Sequence, residues 1–377
     1  MSAERIVALL GRRDKPTDGV ADYCTWLGRA LMVHGYELEM VRVPWFERGW
    51  NAALAELRAK ARGWRGHWVL LQYTTLGWSR RGFPWHVPQI LSILRDCGVR
   101  CAVVYHDFSP TSSPRLIDRA RRLFQLHALK GLYRQSERNI FTISMDKINW
   151  LAGDGGNCTL IPVGANFPEL SAQSRAYAVK DHEQRKTVAI FSVTGGPSTA
   201  REVADIGAAV KRANTAAGPL RLLVMGRGSK EAEPALRAEF SGTNVDVEVL
   251  GLLPAEEMTQ ALSRADVQLF VRDQISSRRG SAIAAIACGL PVVCYSGAET
   301  AWPITEAGIR AVPLGDREAL SQALETVLKD DRLRQSLATR SQNAQASYFS
   351  WPAIAAQFVQ CLRAEKSATG SVLEKAL

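Results

Sequence analysis

Short apolar runs alternate with longer stretches of helical periodicity along most of this chain. Runs of this kind predict strands buried on both faces, and the amphipathic stretches between them predict helices that connect parallel strands. We expect strands at residues 5–10, 37–43, 67–72, 100–105, 139–143, 158–162, 186–192, 220–225, 245–250, 267–271, 290–294 and 311–313. We expect helices at residues 20–34, 52–62, 87–97, 115–134, 145–151, 201–213, 231–240, 255–263, 282–288, 317–328 and over most of 331–366.

The alternation is interrupted at residues 169–185, which are polar and carry no periodicity. A chain of 377 residues has the length of about two ordinary domains. The pattern therefore predicts an α/β protein of two Rossmann-like domains that face each other across a cleft. We expect the first domain at 1–168, a linker at 169–185 and the second domain at 186–349. In such sheets ligands bind beyond the carboxyl ends of the strands.

Positive charge and tryptophan are concentrated in the first half of the chain. The formal net charge is +10, and residues 1–170 carry +8 of it together with eight of the ten tryptophans. A basic surface with amphipathic aromatics is typical of proteins that meet acidic ligands, membrane interfaces or nucleic acid. A solvated basic face over core tryptophans gives the same composition. Since the sequence contains no nucleic-acid-binding motif, we expect no nucleic acid partner.

The seven cysteines are scattered and form no Cys-x-x-Cys pair or histidine-linked cluster. This usage indicates a reduced compartment and neither a disulfide framework nor a metal site. We find no secretory leader and no apolar run long enough to span a bilayer. We therefore expect a cytoplasmic protein that binds no metal.

A phosphate-binding segment is the most informative feature of the sequence. Two arginines, Arg278 and Arg279, precede Gly280 and Ser281 at the start of a short helix of small residues, which Gly289 ends before a buried strand. A helix N-terminus offers unpaired N–H groups and a partial positive charge, and small side chains let a ligand approach the backbone. The segment thus predicts a site for a phosphate or diphosphate, with a purely structural glycine-rich turn as the alternative.

Five segments in register resemble the retaining glycosyltransferases of the GT-B fold, close to family 4. They are DGVADY at residues 18–23, VYHD at 104–107, LIPVGAN at 160–166, ACGLPVV at 287–293 and YFSW at 348–351. The resemblance covers almost the whole chain. It implies that the second domain binds a nucleotide sugar, and that a terminal helix at about 350–366 crosses back to the first domain.

The sequence departs from the family pattern at its two glutamates, which are usually eight residues apart. Ser276 and Ala284 occupy these positions here, and Ala284 cannot hold the ribose hydroxyls that the second glutamate normally binds. The usual Arg and Lys after the first strand of the second domain are replaced by TGGPSTAR at residues 194–201. The retained Arg-Arg-Gly-Ser loop resembles a bacterial subgroup that lacks the two-Glu motif.

The donor site is expected to neutralise a diphosphate. The N–H groups of Gly280 and Ser281 would bind it, with Arg278 or Arg279 adding a bidentate contact. Arg201 is a candidate for the missing cation, although a solvated helix arginine is equally consistent with its position, and Glu299 would supply the ribose contact that Ala284 lacks. The expected donor-binding residues are Gly19, Gly195, Gly196, Arg201, Arg278, Arg279, Gly280, Ser281 and Glu299.

The first domain contributes two further groups of candidates. The resemblance puts His106 beside the donor sugar, where a neutral imidazole oriented by Asp107 would bind a hydroxyl; these two are the expected catalytic residues. Gly19 would allow close backbone approach, whereas the neighbouring Asp18 either serves the site or caps the following helix. The expected acceptor-binding residues fall into three kinds. Asp22 would bind hydroxyl groups, Tyr73 or Trp78 would stack on a sugar, and Arg80 and Arg81 would meet phosphate. For the last four, a solvated surface loop is the alternative.

These observations predict a glycosyltransferase of the hexosyltransferase type. It would move a sugar from a nucleotide-diphosphate sugar to a saccharide or lipid-linked acceptor, with retention and without a metal ion or other cofactor. The arginine-rich helix at 115–134 would face anionic lipid at the cytoplasmic side of the inner membrane, or pack as an ordinary surface helix. The alternatives are a non-catalytic nucleotide- or sugar-binding protein on the same fold and a sugar-nucleotide epimerase.

Overall fold

The structure is a computed structural model that describes residues 3–111, 113, 115–151, 157–167 and 185–364. The chain divides into two compact units. The first consists of Met1–Pro162 and Ile354–Leu377, and the second of Val163–Ala353. Each unit holds one six-stranded parallel sheet.

The sheet of the first unit has the strand order β2-β1-β3-β4-β5-β6, with every pair parallel. Its central strands are almost wholly buried, because helices cover both faces of a parallel sheet. The strands are β1 (Glu4–Leu10), β2 (Tyr36–Arg42), β3 (Trp68–Tyr73), β4 (Arg100–Tyr105), β5 (Arg138–Phe141) and β6 (Cys158–Leu160).

Five α-helices of the first unit follow its strands. The first of them buries one apolar face, formed by Tyr23, Leu27 and Leu31. The helices are α1 (Gly19–Met32), α2 (Trp45–Arg48), α3 (Trp50–Ala61), α4 (Val87–Asp96) and α5 (Leu116–Gln135).

The sheet of the second unit has the order β12-β11-β10-β7-β8-β9, again all parallel. Its first strand, β7, lies between β10 and β8, so the chain turns in opposite directions on the two sides of β7. This switch point leaves a crevice at the carboxyl ends of β7 and β10, where ligands bind in open α/β sheets. The strands are β7 (Lys186–Phe191), β8 (Leu220–Met225), β9 (Asp246–Gly251), β10 (Val267–Gln274), β11 (Val292–Ser296) and β12 (Ile309–Pro313).

The helices of the second unit include the one that the small-residue motif predicted. It is fully buried from Ala282 to Ile286, and it ends at Gly289, whose φ of +73° is the left-handed conformation that favours glycine. The helices are α6 (Ser198–Ala217), α7 (Ser229–Glu239), α8 (Ala255–Ser263), α9 (Gly280–Ala287), α10 (Arg317–Lys329) and α11 (Asp331–Ala344), and α12 (Trp351–Arg363) follows.

Residues of α12 pack against the amino-terminal edge of the first sheet. Buried Arg138 of β5 donates from Nε to the carbonyl of Cys361 at 2.9 Å and from Nη2 to that of Ala364. Arg363 donates to the hydroxyl of Tyr36 at 3.0 Å. A cation at a helix C-terminus satisfies its last carbonyls, and this interaction attaches the end of α12 to the sheet.

The α/β architecture with two parallel sheets is confirmed, and a strand lies at each of the twelve expected places. One helix was missed and one helix prediction was wrong. The four-residue helix α2 was missed, and the expected helix at 145–151 is only a 3₁₀ turn at Met145–Lys147. The predicted linker at 169–185 lies outside the described residues except for Arg185. In the described part of the chain, no helix combines the length and apolarity needed to cross a bilayer.

Candidate functional site

The N-terminus of α9 forms the centre of the candidate site. Arg279 occupies the N-cap position without a side-chain cap, and Gly280 begins the helix at the surface. A Cβ atom added to Gly280 would have no atom within 4 Å, so close packing does not explain this glycine. The N–H groups of a first helical turn have no partner within the helix and attract anions.

Two further glycines follow β7 and are also exposed. Gly195 and Gly196 each have open space where a Cβ would be, and Gly196 has a φ of +74°. The loop is fixed from below by Glu202, which is 1% exposed and accepts a 2.8 Å hydrogen bond from the N–H of Thr194. The hydrogen bond to Glu202 fixes the start of the loop, and the glycines that follow allow its backbone to approach a phosphate closely.

Arg272 lies at the switch point, and the sequence analysis did not single it out. It belongs to β10, and its Nε donates to the hydroxyl of Thr194, after β7, at 3.2 Å. Burial lowers the pKa of Arg272, and Arg227 adds to this effect while Glu202 opposes it. Folds of this type bind ligands at the switch point, so the half-buried guanidinium of Arg272 is a candidate ligand-binding group. The sequence could have indicated Arg272 by its position directly after the predicted buried strand at residues 267–271.

Arg279 is the second half-buried cation of the site. Its Nη2 lies 3.0 Å from an Asp273 oxygen, and its buried Nε has no hydrogen-bond partner among the described residues. Burial lowers the pKa of Arg279, Arg278 lowers it further, and Glu299 and Asp273 oppose the change. An anion bound at the exposed part of this guanidinium would offset the cost of burying its charge.

Arg278 pairs with the carboxylate of Glu299. It forms a bidentate ion pair with Glu299, at 2.9 and 3.0 Å, and both side chains are largely shielded from solvent. The backbone N–H of Glu299 also donates to Gln274 at 2.8 Å. Of the two arginines left open by the sequence, the structure therefore favours Arg279 as the one available to a ligand.

Glu299 lies beside Ser276, one of the two positions at which the sequence departs from the family pattern. Its carboxylate accepts a 3.4 Å hydrogen bond from Ser276, which occupies the place of the first family glutamate. Ala284 is buried within α9. The predicted ribose contact of Glu299 stays a prediction, and the contact with Ser276 relates Glu299 more directly to the first glutamate than to the second.

Arg201 is exposed on α6, with a guanidinium nitrogen 4.0 Å from the Glu202 carboxylate. This is the solvated arrangement that the sequence analysis held open. Its part in donor binding stays a prediction.

In the first unit, His106 directly follows β4 and has a partner other than the expected one. Its Nε2 lies 2.8 Å from the Oε1 of buried Gln72, and its ring meets the edge of Tyr23 with centroids 5.1 Å apart. Asp107 instead accepts a 2.9 Å hydrogen bond from the N–H of Thr75. Thus Gln72 orients the imidazole in the place expected for Asp107, whose carboxylate shapes the loop after β3.

His106 gives the structure a testable pH dependence. Burial lowers its pKa from 6.5 to about 4, so the unfolded chain binds a proton that the folded chain excludes between these values. We expect the free energy of unfolding to fall by about 2 kcal/mol as the pH drops from 6.5 to 4. Urea unfolding of the protein and of His106→Gln across this range measures it. The variant should lose this part of the dependence whatever its absolute stability, whereas exposed His34→Gln should retain it; parallel curves for all three proteins would contradict the assignment.

The loop after β1 serves α1. Asp18 caps the helix by accepting a 3.1 Å hydrogen bond from Ala21, and its other oxygen pairs with Arg42 at 2.6 Å. The capping alternative is therefore the one observed for Asp18. Gly19 and Asp22 are exposed at the start of the helix, and their binding roles stay predictions.

The expected aromatic acceptor platform is wrong. Tyr73 and Trp78 are both 0% exposed, and the Trp78 indole donates to the carbonyl of Gln72 at 2.8 Å. Their faces pack in the core of the first unit and cannot stack on a sugar. Arg80 and Arg81 are exposed as expected, although Arg80 lies over the ring of Phe46 at 4.6 Å.

Comparison with known proteins agrees with this picture. Residues 195–330 match the family model described as glycosyl transferases group 1. No curated protein matches the sequence at a significant level.

Solved structures share the fold over nearly the whole chain. Sucrose-phosphate synthase from Thermosynechococcus elongatus has a TM-score of 0.68 at 19% identity, covering 96% of this chain and 98% of its own. Anabaena Alr3699/HepE, solved with UDP and glucose, has a TM-score of 0.64 at 15% identity, covering 96% and 99%. A putative UDP-N-acetylglucosamine 2-epimerase from Listeria monocytogenes has a TM-score of 0.59 at 11% identity, covering 96% of each chain.

These likenesses establish the fold and a family match over part of the chain. The chain has the two-domain α/β fold of the GT-B glycosyltransferases. Its second unit carries the sequence pattern of a group 1 glycosyltransferase over most of its length. Since an epimerase shares the fold, the reaction must be argued from the site.

Proposed function

We propose that the protein is a cytoplasmic glycosyltransferase that moves a hexose from a nucleotide-diphosphate sugar to a saccharide or lipid-linked acceptor. Transfer would retain the anomeric configuration and need no metal ion, in a subgroup close to family 4 that lacks the two-Glu motif. The observation that carries the proposal is the pair of half-buried arginines, Arg272 and Arg279, between the switch point of the second sheet and the N-terminus of α9.

The second unit offers three kinds of phosphate ligand. Arg272 and Arg279 supply positive charge in a poorly solvated place, where it acts more strongly than in water. The N–H groups of Gly280 and Ser281 add directional donors at the positive end of α9. Gly195 and Gly196 have the backbone freedom to close over the same phosphates.

The proposed reaction breaks the bond between the anomeric carbon and the diphosphate oxygen. The acceptor oxygen bonds to the same face of that carbon, and the departing phosphate oxygen takes the acceptor's proton. No side-chain nucleophile is required on this route. The arginines and amide N–H groups stabilise the charge that develops on the leaving diphosphate, which is the role a metal ion has in other transferases.

One polar residue of each unit is assigned to hydroxyl groups of the donor. Glu299 is held by Arg278 and Gln274, so its carboxylate is pre-positioned to accept hydrogen bonds from hydroxyl groups. His106, held by Gln72, is neutral at physiological pH and offers a hydrogen bond without charge. Because Alr3699/HepE was solved with UDP and glucose, UDP-sugars are the first donors to test. An acceptor of the proposed class would place the protein in polysaccharide biosynthesis.

We expect transfer from a UDP-sugar to proceed unchanged in excess EDTA and to give a product with the donor's anomeric configuration. The reason is that the arginines and the α9 N–H groups supply the charge stabilisation. NMR of the product formed with and without EDTA measures both properties. Activity lost with EDTA and restored by Mn²⁺ would contradict the metal-free reaction, and an inverted product would contradict retention.

The same experiment separates the alternative functions. Formation of an epimer from the nucleotide sugar in the absence of acceptor would assign the chain to the epimerases. Tight UDP-sugar binding without turnover, across a panel of donors and saccharide acceptors, would indicate a non-catalytic binding protein.

A further inference from the structure

An apolar surface lies on the first unit, formed by α5 and the loop that follows β3. Its members are large side chains that a folded protein normally buries, yet Leu116 is 79% exposed, Leu123 69% and Trp85 59%. We call this surface the apolar patch; it consists of Trp85, Leu116, Ile117, Leu123 and Phe124. Large apolar side chains exposed together on one surface are typical of an interaction site, whereas single exposed ones are common.

The patch has a regular construction. Leu116 and Leu123 are seven residues apart on α5, as are Ile117 and Phe124, so both pairs lie along one face of the helix. Trp85 joins them through its ring, whose centroid is 4.3 Å from that of Phe124.

The loop and the helix are fixed to each other beneath the patch. Buried Gln125 donates to the carbonyl of Gly82 at 2.9 Å and accepts from the N–H of Thr111 at 2.7 Å. The apolar side chains are therefore presented by a fixed support, which lowers the entropy lost when they are buried against a partner.

Positive charge adjoins the patch. Arg115, Arg119 and Arg122 are exposed at the same end of α5. The only acidic residue of the helix, Asp118, is buried and paired with Arg121 at 2.6 Å, so it does not offset these charges at the surface. The helix thus combines exposed leucines and an aromatic cluster with a strongly basic flank.

We propose that the apolar patch docks the protein on an anionic lipid bilayer. Leucine and phenylalanine side chains enter the boundary between headgroups and acyl chains, Trp85 lies at the interface, and the arginines meet lipid phosphates. Charge complementarity favours this occupant, because a basic helix with an exposed apolar face matches a surface that is apolar inside and negative outside. The proposal does not depend on the glycosyltransferase assignment.

The test is sedimentation of the full chain with vesicles of phosphatidylcholine alone or phosphatidylcholine mixed with phosphatidylglycerol. We expect binding to the mixed vesicles only, and a loss of about tenfold or more in Leu116→Gln/Leu123→Gln, which removes apolar contact and no charge. Leu252→Gln/Leu314→Gln, at two exposed leucines of the second unit, is the matched control and should bind as the parent does. Melting temperatures of both variants check that they are folded.

A second readout locates the contact. Brominated phosphatidylglycerol should quench part of the tryptophan fluorescence of the bound protein, and Trp85→Phe should remove that part. Three results overturn the proposal: no binding to anionic vesicles, equal binding by the Leu116→Gln/Leu123→Gln variant, or a dimer in light scattering that this variant converts to monomer. The last would assign the patch to a second copy of the chain.

Discussion

Replacing Arg272 and Arg279 together by glutamine is expected to weaken the binding of UDP by about a hundredfold or more. A hydrogen bond between charged groups contributes about 1.5–3 kcal/mol, and each arginine would lose one such bond to the diphosphate. The two guanidiniums lie at the switch point and beside the α9 N-terminus, so the loss should affect UDP far more than uridine. Titration calorimetry with both ligands measures the difference.

Two controls make this experiment decisive. Arg278→Gln removes an arginine that is already paired with Glu299, and should weaken UDP binding by less than Arg279→Gln does. Arg332→Gln removes an exposed arginine of α11 and should leave binding unchanged. Undiminished UDP binding by the Arg272→Gln/Arg279→Gln variant would refute the assigned diphosphate site.

Truncating Trp78 to alanine is expected to destabilise the protein by about 3–5 kcal/mol, the usual cost of removing a large aromatic side chain from a core. Trp78 is completely buried, and its indole also donates a hydrogen bond to the carbonyl of Gln72. Urea unfolding followed by circular dichroism measures the change. The matched control is Trp85→Ala, because Trp85 is mostly exposed, and it should change stability by less than about 1 kcal/mol.

This comparison separates a core residue from a ligand platform. If Trp78 bound an acceptor sugar, the alanine variant would keep its stability and lose activity at saturating donor. A stable Trp78→Ala protein with impaired transfer would therefore overturn the correction made from the structure.

The sheets could be predicted from the sequence because the signal is local. A strand buried on both faces must be apolar at consecutive positions, as in β3 and β8, and no distant residue alters that requirement. The α9 motif is local for the same reason, since Gly280 begins the helix and Gly289 ends it within ten residues. These features place the segment that we propose as the phosphate site directly after β10.

Side-chain direction in loops could not be predicted in this way. The loop after β3 is aromatic and basic in sequence, yet Trp78 is buried, and next to it the backbone of Gly77 packs against Gly11 of another loop. A Cβ on Gly11 would lie within 2.2 Å of the Gly77 carbonyl oxygen. Hydrophobic periodicity in the sequence does not reveal such a contact between two segments that are far apart in the chain.

Of the arginines in the candidate site, the sequence identified Arg278 and Arg279 and missed Arg272. Their position before a predicted helix indicated Arg278 and Arg279, but the sequence did not show which of the two is available to a ligand. Arg272 was passed over because the predicted strand ended one residue earlier, whereas β10 continues to Gln274 through an irregular register.

The sequence by itself determined the two parallel sheets, most of their helices and the glycine-bounded helix α9, because burial and backbone conformation impose those patterns locally. The tertiary structure decided which polar groups are available to a ligand. It paired Arg278 with Glu299, brought Arg272 to Thr194 across the switch point, and placed Gln72 against His106. Each of these contacts joins residues from different elements, and only the folded sheet brings them within hydrogen-bonding distance.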